Sequence, residues 1–171
     1  MVLQSSDSRL DGEIFGTTNR CFACGPRHPF GFHLEFRVEG EEVVTDFTPL
    51  EAHEGVPTVM HGGLVTTLAD EIGGWALIAL REKFGFTGTM KSRFSLPVRI
   101  GRTVHGRGRI TRENARIVHV AVRLLQDGVE CFSSEMMFVI LDEQGAEKMM
   151  GGPLPESWKK FLRTRSPSTA R

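Results

Sequence analysis

Hydrophobic and polar positions follow three successive patterns along this chain. Between residues 34 and 47, apolar and polar positions alternate on both sides of the turn at residues 39–41, which is typical of a β-hairpin. From His61 to about Lys83, apolar residues recur at steps of three and four without any proline. This spacing predicts a helix of about 20 residues, roughly 30 Å long. Because the helix is apolar on nearly all faces, we expect it to be buried.

The rest of the pattern predicts strands. They cover residues 86–98, 103–112, 116–125 and 129–141, and the last two are joined by a turn that contains Asp-Gly. Strands that follow one another through short turns are antiparallel. The order of two strands, one long helix and four strands predicts an α+β fold, in which an antiparallel sheet wraps around one central helix.

The ends of the chain differ from this region in composition. Residues 1–20 are rich in Ser, Asp and Gly, which predicts a flexible leader. We expect residues 21–150 to form one domain and residues 151–171 a tail, with one helical turn around Trp158 and Phe161 and a disordered end. A chain of 171 residues suits a single domain that needs no disulfide or metal to fold.

Composition excludes several classes of protein. Lys plus Arg number 21, and so do Asp plus Glu. This balance argues against a nucleic-acid partner, and a net charge near zero gives little electrostatic repulsion between copies of the chain. The polar N-terminus lacks the apolar core of a secretory signal, and no apolar run reaches the length of a membrane span. Three cysteines, an odd number, are typical of free thiols in a reducing compartment. We therefore expect a cytoplasmic protein.

The helix begins with His61-Gly62-Gly63, a combination that favours contact with a ligand. Glycines let a ligand approach the backbone closely, and the first N–H groups of a helix have no partner within it. The helix dipole adds partial positive charge at the same end, so this end can hold an anion or polarise a carbonyl oxygen. In the alternative interpretation, the glycines only let the preceding loop pack tightly.

Two carboxylates, Asp70 and Glu71, interrupt the apolar helix. A buried carboxylate costs several kcal/mol unless it is paired or works in a wet site. Desolvation would raise its pKa, which suits a general base near neutral pH. Adjacent helix positions point about 100° apart, so we expect only one of the two to face a given cleft. The alternative is a carboxylate bonded to the sheet backbone.

Other candidates for chemistry are less specific. Thr87 and Thr89 are two positions apart and are predicted to share a strand face, where a hydroxyl could orient water, although Thr is also a common strand residue. Cys21 and Cys24 form a C-x-x-C pair, which supplies half of a zinc site or a redox pair. The histidines nearby have no standard zinc spacing, so we favour two packed thiols and predict no metal. His53, in the loop before the helix, is a candidate to line the cleft.

The stretch HGGLVTTLAD, residues 61–70, resembles the signature of the hotdog thioesterase superfamily, and most closely the branch that includes phenylacetyl-CoA thioesterases. That signature is His-Gly-Gly followed by an Asp nine positions after the His. Residues 21–32 resemble the leader of a subgroup of this family, and Phe94-Ser95-Leu96-Pro97 resembles its third strand. The resemblance spans residues 21–142 and agrees with the order of elements above. It implies the hotdog fold.

The resemblance also implies an activity, which is hydrolysis of an acyl-CoA to the free acid and CoA without a cofactor. Asp70 would be the general base or the nucleophile, the Gly62 N–H would polarise the thioester carbonyl, and Thr87 would support the attacking water. The catalytic segment includes His61, and the expected substrate contacts are Gly63, His53, Glu71 and Thr89. Some members carry an Asn six residues before the His, where this chain has Gly55. His53, Glu54 or a backbone group would have to substitute for it.

A length argument predicts that the active site is shared between subunits. Gly62 and Asp70 are eight residues apart, about 12 Å along a helix, so they cannot both contact one thioester carbon. We expect Gly62 of one subunit to work with Asp70 and Thr87 of another. The resemblance implies a homodimer or a dimer of dimers, a homotetramer.

Two further points stay open at this stage. A non-catalytic acyl-CoA binding or sensing module would use the same cleft, whereas a hotdog dehydratase is less favoured because its His-based pattern is not evident. The acyl group is not defined by the sequence, although Trp75, Phe84 and Phe86 favour an apolar pocket. Basic residues that favour contact with CoA phosphates are Lys91, Arg93, Arg99, Arg102, Arg107 and Arg109.

Overall fold

A computed structural model describes residues 10–162 of the chain. Within this range the strands are β1 (Leu10–Asp11), β2 (Glu35–Glu39), β3 (Glu42–Phe47), β4 (Glu54–Val56), β5 (Val59–Met60), β6 (Gly85–Phe94), β7 (Val104–Glu113), β8 (Ile117–Gln126) and β9 (Val129–Ile140). The helices are α1 (Gly62–Arg81), α2 (Glu143–Met150) and α3 (Glu156–Lys159), with 3₁₀ turns at Gly12–Phe15 and Glu51–His53.

One seven-stranded sheet carries the fold. Its strands lie in the order β1-β2-β3-β7-β8-β9-β6, every neighbouring pair is antiparallel, and β4 and β5 form a separate hairpin. Helix α1 packs across one face of this sheet. The predicted α+β architecture, an antiparallel sheet around one long helix, is therefore confirmed. Strand β6 lies at one edge of the sheet.

Helix α1 is the core element. It begins at Gly62 because the His61 side chain accepts a hydrogen bond from the Gly63 N–H, and it ends where Glu82 takes a left-handed conformation at φ 52°. By length and composition α1 meets the criterion for a membrane span, but in this fold it is a core helix with most of its residues buried against the sheet.

Two glycines on β7, which have no side chains, let α1 approach the sheet closely. A Cβ at Gly106 would lie 2.4 Å from Ile72 Cδ1, and one at Gly108 would lie 2.8 Å from Ile72 Cγ2. Ile72 itself is fully buried. Glycine in a strand interior is costly unless another group needs its space, and here the helix uses that space. This close contact fixes the position of the turn of α1 that carries the two carboxylates.

Several boundaries differ from the predicted ones. Strand β6 ends at Phe94 rather than at residue 98, because the N–H groups of Ser95 and Leu96 both donate to the Cys131 carbonyl and the chain then turns towards β5. Residues 10–20, predicted as part of a flexible leader, pack on the domain instead. Strand β1 pairs with β2, and the ring centroids of Phe15 and Trp75 are 5.8 Å apart.

The C-terminal region contains one helix that the sequence did not predict and one that it did. Residues 143–150 form α2, capped by Asp142, where no helix was predicted. Helix α3 lies at the predicted helical turn near Trp158, and Phe161 is buried. The first part of the predicted leader, residues 1–9, and the predicted disordered end lie outside the described residues.

Candidate active site

One cleft opens at the start of α1. It has a volume of about 600 Å³ and is lined by residues 55–56, 59–62, 65 and 94–98. We call it the helix-start cleft. Gly62 lies in its wall and is exposed, and within residues 10–162 no hydrogen bond forms from its N–H. The next N–H, that of Gly63, donates to His61 Nδ1 at 3.0 Å. The Gly62 N–H is therefore a donor at the start of α1 that this cleft offers to an oxygen atom.

Position 55 in this cleft has no room for the Asn that the resemblance associates with it. A Cβ at Gly55 would lie 2.9 Å from the Cα of His61, so an Asn there would displace the start of α1. The side chains considered as substitutes are engaged elsewhere. Glu54 accepts the Thr58 N–H at 2.8 Å, and His53 is buried. Of the three groups considered as substitutes for the Asn at position 55, only a backbone group remains.

The prediction that His53 lines the cleft is wrong in this structure. Its ring lies between Phe32 and Phe47, at centroid distances of 5.2 and 5.4 Å, and its Nδ1 accepts the Leu50 N–H at 2.9 Å. Burial lowers the pKa of His53, because the charged imidazolium would lose its hydration. His53 supports the loop before α1, and its carbonyl holds the His61 N–H.

A second cavity lies further along α1, beside Asp70 and Glu71, and we call it the carboxylate cavity. Its volume is about 350 Å³. Its apolar lining includes Trp75, Phe84 and Phe86, as the sequence suggested, together with Phe138. Its polar wall consists of Asn19, Cys21, Cys24, Asp70, Glu71 and Thr87. An apolar cavity with a few convergent polar groups is the usual form of a small-molecule site.

Asp70 and Thr87 are joined in this cavity. The Thr87 hydroxyl on β6 donates to Asp70 Oδ1 on α1 at 2.5 Å, as expected for a charge-assisted hydrogen bond. Asp70 is exposed in the single subunit rather than buried as its apolar helix suggested. The bond fixes one carboxylate oxygen, and no group among residues 10–162 donates to the other, which can meet a water molecule or a substrate.

Thr89 does not share the face of Thr87. The register of β6 against β9 shifts at this point, so that Thr87 pairs with Phe138 while Thr89 pairs with the adjacent Met137. Adjacent residues on β9 point to opposite faces, and hence the two threonines do as well. The extra residue is Gly88. Thr89 therefore lies on the far face of the sheet from the carboxylate cavity, which corrects its prediction as a substrate contact.

Both carboxylates line the same cavity, against the expectation that only one would. Asp70 lies at the exposed side, and Glu71 is directed inward, where Oε1 accepts the Trp75 Nε1–H at 3.0 Å. The Cys21 thiol lies 3.5 Å from Glu71 Oε2. Burial raises the pKa of Glu71 to about 7. The interaction between the two neighbouring thiols lowers the pKa of Cys21 and raises that of Cys24.

Sequence reasoning missed the contact between Glu71 and the cysteine pair. Glu71 and Cys21 are 50 positions apart, so no local spacing joins them. Only the contact between Glu71 and Trp75 had a local signal, because Trp75 follows Glu71 by four positions and this spacing on a helix places the indole beside the carboxylate.

Comparison with known proteins agrees with this fold and supports the resemblance stated above. Residues 58–132 match the family model of the thioesterase superfamily. No curated protein matches the chain. A crystal structure of a thioesterase superfamily protein has 23% identity and a TM-score of 0.67 over 74% of this chain, and this chain spans only 64% of that protein.

Two further solved structures have the same fold. A hypothetical thioesterase from Streptococcus pneumoniae TIGR4, solved with coenzyme A, has 16% identity and a TM-score of 0.59, over 63% of this chain and 87% of that one. A phenylacetic acid degradation-related protein from Ralstonia eutropha JMP134 has 18% identity and a TM-score of 0.58, over 63% and 85%. This chain therefore has the hotdog fold of thioesterase superfamily proteins.

Proposed function

We propose that this protein hydrolyses an acyl-CoA thioester to the free acid and CoA, with Asp70 as the catalytic carboxylate. The observation that carries the proposal is the 2.5 Å hydrogen bond from Thr87 to Asp70 at the mouth of an apolar cavity. Solved structures of the pneumococcal thioesterase include variants in which an Asp or a Thr is replaced by Ala, the same two residue types.

The proposed reaction uses groups from both clefts. The Gly62 N–H donates to the thioester carbonyl oxygen, where negative charge develops during attack. Asp70 either takes a proton from the attacking water or attacks the carbonyl carbon itself, giving a mixed anhydride that water then hydrolyses. In both routes the C–S bond breaks, the sulfur of CoA leaves as a thiolate and takes up a proton, and the acid is released. Thr87 holds Asp70 in position.

One subunit cannot bring these groups together, so the proposal requires a dimer. Along α1, Gly62 and Asp70 are about 12 Å apart. Strand β6 passes both clefts: Phe94 lies at the helix-start cleft and Phe86 at the carboxylate cavity, and these rings are 56% and 41% exposed. Exposed apolar side chains on an edge strand are typical of a surface that pairs with another strand.

Pairing of two copies of β6 would join the clefts. In an antiparallel pair about a two-fold axis, the numbers of facing residues have a constant sum. An axis near Met90, in the middle of β6, brings the Phe94 end of one strand next to the Phe86 end of the other, although the bulge at Gly88 shifts the residue-by-residue pairing beyond it. The Gly62 cleft of one chain then adjoins the Asp70 cavity of the other. We propose this homodimer as the catalytic unit, alone or within a tetramer.

The proposed substrate follows from the two ends of the site. The aromatic wall of the carboxylate cavity suits an apolar acyl group. Coenzyme A or acetyl-CoA is bound in the solved thioesterase fold structures from Streptococcus pneumoniae and Streptococcus mutans. Of the basic residues considered for the CoA phosphates, Arg102 and Arg107 already form ion pairs with acidic neighbours. Lys91 and Arg93, exposed on β6, have none among the described residues and are the better candidates.

The test is thiol release from a panel of acyl-CoAs by the wild type and by Asp70→Asn. We expect the variant to lose at least about 100-fold in kcat while its thermal unfolding is unchanged, because the carboxamide keeps the shape and lacks the basic oxygen. Asp127→Asn is the matched control. It makes the same change in the exposed β8–β9 turn, at a left-handed position (φ 49°) that Asn also tolerates, and should retain full activity.

Two results would contradict the proposal. One is near-wild-type turnover by Asp70→Asn on every accepted acyl-CoA. The other is stoichiometric binding of acyl-CoA by the wild type without thiol release, which would favour the alternative function of a binding or sensing module.

A further inference from the structure

Three metal-ligating side chains meet in the carboxylate cavity, and the proposed hydrolysis uses none of them. They are Cys21, Cys24 and Glu71, and their ligand atoms all lie within 4.8 Å of one another. The thiols come from the turn that follows residues 10–20, whereas the carboxylate comes from α1. The fold therefore brings two distant parts of the chain together at a donor set of two sulfurs and one oxygen.

The spacing of these donors fits a tetrahedral metal site. Zn–S and Zn–O bonds of about 2.3 and 2.1 Å at a tetrahedral angle give an S···O separation of about 3.6 Å. The observed distances from Cys21 Sγ to Glu71 Oε2 and Oε1 are 3.5 and 3.7 Å. Cys21 and Glu71 are therefore already at the separation that one shared ion requires, and Cys24 Sγ lies within 4.8 Å of both of their donor atoms.

Neighbouring groups already orient the donors, as outer groups do in metal sites. The Trp75 Nε1–H donates to Glu71 Oε1 at 3.0 Å. Asn19 contacts both thiol residues: its Oδ1 accepts the Cys21 N–H at 3.0 Å, and its Nδ2 lies 3.8 Å from Cys24 Sγ.

The enclosure of Glu71 points the same way. Within residues 10–162, no Lys, Arg or His forms an ion pair with its carboxylate, although the group is largely enclosed. Enclosed carboxylates are normally paired with a cation or coordinate a metal, because an isolated charge is costly away from water. A divalent cation bound to two thiolates and one carboxylate would satisfy all three groups.

We propose that Cys21, Cys24 and Glu71 bind a divalent cation with thiolate affinity, of which Zn²⁺ is the representative. All three ligands line the cavity, so a water molecule or a ligand group can take the fourth position from the cavity side. Such an ion ties the C-x-x-C turn to α1 and completes the cavity wall next to Asp70. The proposal replaces the sequence-based expectation of two packed thiols without a metal.

The test measures metal binding without any substrate, so its outcome does not depend on the proposed hydrolysis. The full-length protein is reduced, stripped with a chelator and titrated with Co²⁺, while the thiolate-to-cobalt charge-transfer absorbance is followed. Zinc content after dialysis is measured by mass spectrometry. We expect one ion per chain, a charge-transfer band, and a rise in the thermal midpoint on metal addition.

Matched variants locate the site. Cys21→Ser and Glu71→Gln should each weaken metal binding by at least about 10-fold. Cys131→Ser changes the remaining cysteine, which lies on β9, and should bind like the wild type, as should Asp70→Asn. The wild-type spectrum decides the matter even where a variant folds poorly.

Three outcomes would overturn the proposal. The reduced wild type binds no Co²⁺ with a charge-transfer band, the band persists in Cys21→Ser, or Cys131→Ser abolishes it as well.

Discussion

Replacing Gly62 by proline tests the proposed oxyanion donor with little disturbance of the fold. Proline removes the backbone N–H and nothing else that the proposal uses. Gly62 is the first helical residue, the position where proline is favoured. The preceding His61 has φ −57° and ψ 130°, which is the extended conformation that a residue before proline adopts.

The structure allows both effects of this change to be estimated. A Cβ at position 62 would lie 3.6 Å from Phe94 Cε1, an ordinary contact, so the free energy of unfolding should change by at most about 1 kcal/mol. Loss of one oxyanion donor costs about 10²–10³ in kcat, or about 2.7–4 kcal/mol. Activity should therefore fall by two orders of magnitude or more while stability stays constant.

The assay is thiol release from the best acyl-CoA, run beside urea unfolding of the same preparations. Gly62→Ala is the control, because it adds the same Cβ and keeps the N–H, and it should retain activity within about threefold. A Gly62→Pro variant that unfolds like the wild type and keeps wild-type kcat would refute the role of this N–H.

Three further predictions concern the helix, the edge strand and the loop before α1. Thr87→Val removes the donor to the catalytic carboxylate and should lower kcat about 10-fold or more, whereas Thr89→Val, on the opposite face, should not; equal losses would contradict this. Gly73→Ala puts a Cβ 2.9 Å from two core side chains and should lower the free energy of unfolding in urea by about 1–3 kcal/mol. At the next position, the Cβ of Gly74→Ala meets nothing within 4 Å, so this variant should raise the free energy of unfolding by about 0.5–1 kcal/mol. The pKa of His53 is lowered in the folded chain, so below about pH 6.5 the unfolded chain binds a proton at this residue more readily than the folded chain does. The free energy of unfolding should therefore fall as the pH drops, and His53→Gln should make this decline less steep. An unchanged slope would contradict the prediction.

Periodicity predicted the fold because each element buries one regular face. The steps of three and four between His61 and Lys83 match α1 within two residues at each end, since they reflect the contact of one helix with one sheet. Alternation likewise located the strands. It failed at the end of β6, where hydrogen bonds to Cys131 turn the chain away and no local pattern records them.

The candidate site was predicted where local spacing determines it and missed where distant contacts do. The interval from His61 to Asp70 is a property of one helix and could be read directly. The face of Thr89 could not, because the extra residue at Gly88 becomes a bulge only through pairing with β9. The burial of His53 and the contact of Cys21 with Glu71 depend in the same way on how separate segments pack together.

Complementation between two inactive chains tests the shared active site most directly. A chain with Gly62→Pro and a chain with Asp70→Asn are co-expressed with different tags, and heterodimers are isolated through both tags in turn. In a heterodimer, one site combines the intact Gly62 of one chain with the intact Asp70 of the other, and the second site lacks both. The account predicts about half of the wild-type activity per dimer, while each homodimer stays inactive. A heterodimer no more active than the two homodimers would contradict a site built from both subunits.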